Sequence, residues 1–310
     1  MRDEAEKKLL EQFQAGDTRA LARILTLIEN RTYSSSEFFQ FFWRRAKGKK
    51  KLGITGPPGA GKSSLIEHLV ERYRRQGRKV ACLLIDPSSP FSGGAVLGDR
   101  IRLQKHFLDP GVFIRSVASR GERGGISRSA LEMILVLDTF GVDEIIIETL
   151  GVGQAELEIA SVAETVVVVL TPEAGDAVQA LKAGLLEVGD IFVINKADRP
   201  QAQSLYYELK SLFNSEPEQK PVLLTSALEG RGIDQLFSAI EEQRGRLKKS
   251  PSAFQERLRR KYFLELVYSE FRTRLEEKLK KEYPQILEQV CQGKITPQQA
   301  LEELKAIFPD

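Results

Sequence analysis

Between Lys50 and about Ala227 the chain alternates short, continuous apolar runs with amphipathic stretches. The runs are KLGITG, VACLLID, VFIRSV, EIIIET, TVVVVLT, DIFVINK and PVLLTSA. Unbroken β-branched runs of this kind predict strands buried on both faces, and therefore a doubly wound, mostly parallel sheet covered by helices. Ligands of such sheets bind beyond the carboxyl ends of the strands. Residues 3–29 carry helical periodicity in two segments split by Gly16-Asp17, with Asp17 placed to cap the second and Leu21, Ile24, Leu25 and Ile28 on one face. SSSEFFQFFWRRA predicts a third, capped helix. Its Phe38, Phe39, Phe41, Phe42 and Trp43 are too many for one narrow stripe, so burial against the sheet or a partner is expected. After about Gly232 no further strand is expected. Leu264, Val267, Phe271, Leu275 and Leu279 step by three or four, a helix stripe that packs either on the sheet domain or in a dimer interface. Pro284 interrupts the next segment, and ITPQQALEEL opens a last helix with Thr296 as N-cap, Pro297 at the first position and Gln299 completing a capping box. The expected organisation is a helical extension over residues 1–48, the α/β domain over 49–247 and a second helical extension over 248–310.

Composition narrows the class. The 310 residues carry a net charge of +3 with 29% charged side chains, acids and bases intermixed, so no tail for nucleic acid is expected. KGKKK (Lys47 to Lys51) reads as a solvated strand edge. Two Cys (Cys82, Cys291) and two His (His68, His106), far apart in sequence, argue against a disulfide framework or a structural zinc site and suit a reducing cytoplasm. MRDEAEKKLL mixes acids and bases, unlike a signal or transit segment, and no apolar run approaches the ~18 residues of a membrane span.

The chemistry is concentrated at strand ends. GPPGAGKS, Gly56-Pro57-Pro58-Gly59-Ala60-Gly61-Lys62-Ser63 followed by Ser64, comes after the first strand and opens an amphipathic helix, which makes it a phosphate loop of a P-loop NTPase. Its glycines let N–H groups wrap phosphates, Lys62 reaches the β/γ oxygens and Ser63 ligates Mg²⁺. NKAD and TSAL follow later strands. Asp198 can accept from guanine N1–H and the 2-amino group, Asn195 can contact the other polar edge, and the Lys196 stem can cover the ring. From the second tetrapeptide (Ser226, Ala227, Leu228), the Ala227 N–H can meet O6. In chain order these motifs specify GTP and GDP, although Asp198 would also serve as a helix N-cap. Asp86, Asp99 and Glu148 compete for direct or water-mediated contact with Mg²⁺, and Asp99 also reads as a helix N-cap. In IIIETLGVGQAE the residue after Gly151 is Val152, where many GTP hydrolases carry a water-positioning Gln; the next Gln is Gln154.

GDTRALARILTLIEN, GITGPPGAGKSSL, IDPSSPFSGGAVLGDRIR, GGISR, IIIETLGVGQAE, AGDAVQALKAGLLEVGDIFVINKAD and GKITPQQALEEL together resemble the methylmalonyl-CoA mutase-associated GTPases, the MeaB/ArgK family of SIMIBI-class G proteins. The resemblance covers nearly the whole chain. It implies a homodimeric chaperone of an adenosylcobalamin-dependent acyl-CoA mutase, using GTP to gate cofactor loading and to protect the mutase. It also implies metal-site roles for Asp86, Asp99 and Glu148 and a partner-coupling segment at AGDAVQALKAG, with Asp176, Gln179 and Lys182. Glu173, Arg123 and the AGDAVQ wording depart from the family pattern at positions that touch no phosphate or metal.

With Val152 beside Gly151, slow hydrolysis by the isolated protein is expected, raised when a partner positions Gln154 or the Gln179/Lys182 segment. Two other classes share this kind of domain. A metallochaperone GTPase would need a His/Cys cluster, and a small-molecule kinase would need a second substrate pocket; neither is legible.

Overall fold

The seven apolar runs form seven strands, β1 (Lys50–Thr55), β2 (Val80–Asp86), β3 (Val112–Ala118), β4 (Glu144–Thr149), β5 (Thr165–Leu170), β6 (Ile191–Ile194) and β7 (Val222–Leu224). They make one sheet of order β3-β2-β4-β1-β5-β6-β7 in which every pairing is parallel. Every position of β4 and β5 is buried, as continuous runs require. In the computed structural model the described residues are 2–33, 36–86, 100–118, 126–149, 154–172, 184–213, 219–247 and 251–307.

Register decides which groups share an end of the sheet. Glu148 of β4 pairs with Ile54 of β1 on one side and Leu84 of β2 on the other. The exits of β1, β2 and β4 therefore open side by side, with β1 between β4 and β5 at the position where the direction of winding reverses. That is where doubly wound sheets bind ligands.

Helices α4 (Lys62–Arg75) and α9 (Ile233–Leu247) cover one side of the sheet, their Leu65, Ile66, Leu69, Leu236 and Ile240 packing with Leu52, Ile54, Cys82, Leu84 and Val169. Helix α5 (Arg128–Thr139) lies against β2 and β4 and is buried from Ser129 through Asp138. A helix buried all round needs a second cover. It comes from the N-terminal helices α2 (Thr18–Glu29) and α3 (Ser36–Arg45), with α1 (Arg2–Gln14) packed on α2. Asp17 caps α2 by accepting from Arg19 N at 2.8 Å, and Leu21, Ile24, Leu25 and Ile28 are buried. The aromatic helix α3 packs on α5 and on Phe13 of α1, with Phe42 5.3 Å from that ring, so its burial comes one layer out from the sheet. Phe38 and Phe42 are buried; Phe39, Phe41 and Trp43 are half-buried.

The KGKKK run is corrected at its last residue. Lys51 is fully buried, its Nζ donating to Asp138 Oδ2 at 2.9 Å and to Lys49 O at 2.7 Å. Asp138 Oδ1 also accepts from Lys49 N at 2.8 Å, which ties the entry of β1 to α5.

The remaining short helices are α6 (Gln154–Glu158), α7 (Leu185–Val188) and α8 (Ala202–Phe213). The C-terminal helices are α10 (Pro251–Glu282), α11 (Pro284–Cys291) and α12 (Pro297–Ile307). The chain divides into two compact units, Met1–Arg259 and Arg260–Asp310. Within the second, the expected capping box is present: Gln299 N donates to Thr296 Oγ1 at 3.2 Å and Thr296 N to Gln299 Oε1 at 2.9 Å. Among the described residues no helix is long and apolar enough to cross a membrane.

Candidate nucleotide site

The loop leaving β1 takes backbone conformations that only glycine adopts cheaply. Gly56, Gly59 and Gly61 have φ of 138°, 77° and 86°. A Cβ on Gly56 would stand 2.0 Å from Val169 O, and one on Gly61 would stand 2.2 Å from Asn195 Nδ2. Helix α4 then starts at Lys62 with no side chain capping its first turn, so its N–H groups face an anion site made by loop and helix together. Pro58 and Gly59 are exposed, Ala60 is buried and Ser64 half-buried.

Lys62 is only 3% exposed, and its Nζ donates to Gly56 O at 2.7 Å and Pro57 O at 3.0 Å. The ammonium thus lies across the loop it belongs to, where phosphate oxygens can replace those carbonyls. Ser63 Oγ donates to Glu148 Oε1 at 3.0 Å, both residues being buried. A hydroxyl and a carboxylate meeting at a strand exit form an all-oxygen donor pair, which fits Mg²⁺. One residue further along each strand, Thr149 Oγ1 donates to Thr55 Oγ1 at 2.9 Å and joins the root of the phosphate loop to the exit of β4.

The base side is held by Asn195, which is 3% exposed. Its Nδ2 donates to Ala60 O at 2.8 Å, and its Oδ1 accepts from Thr225 Oγ1 at 3.1 Å and from Ala227 N at 3.0 Å. The sequence assigns Asn195 to the base edge and the Ala227 N–H to O6. In the structure both take part in a tether between the phosphate loop and the base loop. Lys196 follows with φ of 60°, a left-handed turn rare outside glycine. Asp198 is exposed, and its Oδ1 accepts from Ser226 Oγ at 3.0 Å. A hydrogen bond from its own backbone N–H and then that of Ser226 hold its carboxyl below the usual range, so it is an ionised acceptor at neutral pH. Helix α8 begins at Ala202, four residues beyond, so Asp198 is not its cap. Ser226 pairs with Arg231 in a bridge that closes the loop, and Leu228 at its tip is 94% exposed.

The structure therefore brings together Gly56 to Ser64, Glu148, Asn195, Lys196, Asp198, Ser226, Ala227 and Leu228. Asp86 ends β2 and Gln154 opens α6, but their side chains lie outside the described residues, as do Asp99, Gly151, Gln179 and Lys182 altogether. Two participants were not singled out from the sequence. Thr225 stands in the quoted TSAL, and its hydroxyl is the signal that could have marked it. Glu156, in the quoted VGQAE, is 6% exposed. Burial pushes its carboxyl up, and the charge of Lys62 acts against that.

The sequence model of one family, described as methylmalonyl Co-A mutase-associated GTPase MeaB, matches residues 21–282. The chain belongs to the MeaB family. Relatives in the same family include a "Putative GTPase" of Pyrococcus abyssi, 42% identical over 303 residues and covering 94% of each chain. GTPase ArgK of Escherichia coli is 37% identical over 243 residues, 74% of this chain and 73% of that one. A mouse protein named methylmalonic aciduria type A homolog, mitochondrial, is 30% identical over 321 residues, covering 94% of this chain and 77% of its own. A crystal structure of a LAO/AO transport system kinase superposes with a TM-score of 0.69 at 27% identity, covering 98% of this chain and 97% of that one. The fold is that of P-loop GTPases, and the family supports guanine nucleotide binding and GTP hydrolysis by this chain.

Proposed function

We propose that this protein is a GTP-driven chaperone of an adenosylcobalamin-dependent acyl-CoA mutase, most simply methylmalonyl-CoA mutase. The observation that carries the nucleotide part is Asn195, whose one amide fastens the phosphate loop at Ala60 to the base loop at Thr225 and Ala227. A phosphate site and a guanine-type base site are thereby a single unit. The mutase part is supported by the names of the family and of the mouse relative.

In the proposed reaction a water attacks the γ-phosphate in line. Lys62 exchanges Gly56 O and Pro57 O for β/γ oxygens, and the N–H groups of the loop and of the first turn of α4 hold the charge. Ser63 and Glu148, with Asp86 and Asp99, would hold Mg²⁺, which when bound offsets charge on the β/γ oxygens. No Gln follows Gly151, so water placement falls to Gln154, Gln179 and Lys182, brought in by the mutase. Homodimerisation through the C-terminal extension is part of the same proposal. Phe263, Tyr268, Phe271 and Leu275 of α10 are exposed, an apolar set suited to a second copy.

The deciding measurement is GTP turnover by the pure protein with and without an acyl-CoA mutase. Slow turnover alone, raised at least ~10-fold by the mutase, is expected. Unassisted turnover of roughly tens per second would overturn the partner-completed site, and equal affinity for ADP and GDP would overturn the nucleotide assignment itself.

A further inference from the structure

The base loop has a second anchor that the motifs do not contain. His68 lies on α4, six residues beyond Lys62, and its Nε2 is 2.7 Å from Ala227 O. A carbonyl only accepts, so Nε2 carries the hydrogen in this contact. The two peptide groups that flank Ala227 are then both fixed: its N–H by Asn195 Oδ1 at 3.0 Å and its C=O by His68. Leu228, which shares the second of these peptides, is 94% exposed. Gly230 has φ of 68°, and a Cβ there would lie 3.9 Å from His68 Cε1, so the ring also lies under the turn of the loop.

These bonds close a circuit. Ala60 in the phosphate loop accepts from Asn195; Asn195 accepts from Ala227; Ala227 accepts from His68; and His68 stands on the helix that the phosphate loop opens. Asn195 and Asp198 hold the loop from its own side, at Thr225, Ser226 and the Ala227 N–H. With His68 added, the orientation of Ala227 is set from the same rigid element that presents Lys62 and Ser63.

We propose that His68 is a positioning residue for guanine recognition, locking the Ser226–Arg231 loop to the phosphate-loop helix. The proposal rests on the guanine-nucleotide reading above and adds a residue to it. In the His68→Ala variant, affinity for GDP falls roughly 5-fold, the size of one neutral hydrogen bond, while inorganic tripolyphosphate, which never meets the base loop, binds within about 2-fold of wild type. A Gln keeps an N–H at comparable reach, so His68→Gln recovers most of the GDP affinity. Calorimetry with GDP, and displacement by tripolyphosphate, read both.

Unchanged GDP affinity in His68→Ala, or an equal loss for tripolyphosphate, would overturn the proposal, the second by showing that the histidine merely supports α4. Failure of His68→Gln to recover would also count against it, since the N–H is the claimed function. A wild-type protein that bound ADP as well as GDP would instead defeat the guanine reading, so the two failures are distinguishable.

Discussion

Strand β4 carries a glutamate near each end, and the two have opposite surroundings. Glu144 and Glu148 are four positions apart, both buried, in a strand that runs through the centre of the sheet. At the amino end, Glu144 Oε1 accepts from Arg78 Nη1 at 2.8 Å. Its Oε2 is 2.8 Å from Arg244 Nη1, at ion-pair distance although off the hydrogen-bond direction. Arg244 Nη1 also donates to Tyr73 Oη and Glu241 Oε1, each at 3.0 Å, and Lys51 pairs with Asp138 at the start of β1. At the carboxyl end, Glu148 meets a serine hydroxyl beside the phosphate loop. Charge at the amino end is answered by protein cations fixed on other elements. At the carboxyl end the cation of the loop, Lys62, is bonded to neutral carbonyls that a phosphate can displace. One end uses buried charge to fix the sheet on its helices; the other sets a carboxylate against the serine that opens the phosphate-loop helix. The same residue type in the same strand thus meets arginines on other elements at one end and a phosphate-loop serine at the other.

The largest effect that tests this division is on stability. Lys51→Ala would strand the Asp138 carboxylate, with both side chains fully buried. Breaking a buried pair from one side costs about 3–5 kcal/mol. Urea unfolding should show that loss, while affinity for GDP in the folded protein stays at the wild-type value. A change in nucleotide affinity beyond about 2-fold, equal to ~0.4 kcal/mol, would break the separation between the two ends.

Asn195→Ala comes next because it leaves several groups without partners at once. Ala60 O, Thr225 Oγ1 and the Ala227 N–H each lose a hydrogen bond. At about 1–3 kcal/mol for a buried group left unsatisfied, GDP affinity should fall by roughly 30-fold or more while the fold survives, and fluorescence titration with a labelled GDP reads it. If stability fell by that amount with affinity intact, the tether would belong with the structural charges of the amino end.

Glu148→Gln sharpens the contrast from the other side. The substitution keeps the shape and leaves an acceptor for Ser63 while removing the charge that suits a divalent cation. Stability should move by less than about 1 kcal/mol, but the Mg²⁺ concentration needed for half-maximal GTP hydrolysis should rise by roughly 10–100-fold. A magnesium titration of hydrolysis would refute the assignment if the midpoint did not move.

The division also explains what could be read in advance. All seven strands were legible because burial on both faces leaves an unbroken β-branched signature, and the capping box at Thr296 and Gln299 was legible because both partners lie within one turn. The phosphate loop was legible because its glycines, lysine and serine are contiguous. Lys51 was not, because its partner Asp138 is 87 positions away and a run of lysines reads as solvated until that partner is known. The aromatic helix α3 announced its burial without announcing the surface, since Phe13 of α1 and helix α5, on which it packs, are remote in sequence from each other. Asn195 was legible as a base-loop residue, but its bonds to Ala60, Thr225 and Ala227 were not. Its amide faces Ala60 O, 135 positions upstream, and motif spacing cannot show that a polar side chain is already satisfied by the protein.

The smallest predicted effect is one of pH. The Asp198 carboxyl is held below its ordinary value by its own backbone N–H and by Ser226 Oγ, so the folded protein binds its proton less readily than the unfolded chain does. For a depressed carboxyl, the contribution to stability is present above the unfolded value and is lost as pH falls through the folded one. Guanine recognition by the ionised form should follow the lower of these two values. Preference for GDP over ADP is therefore expected to stay flat from neutral pH down through about pH 4, the usual aspartate range, as long as the protein remains folded. Ser226→Ala removes one of the two bonds and should move the loss of preference towards neutral pH without altering the preference at pH 7. A GDP/ADP preference that already declined between pH 6 and 5 in the wild-type protein would mean that the acceptor is not an ionised, hydrogen-bonded Asp198. The carboxyl end of the sheet would then resemble the amino end, where burial pushes the Glu144 carboxyl up despite Arg244, Lys50 and Arg78.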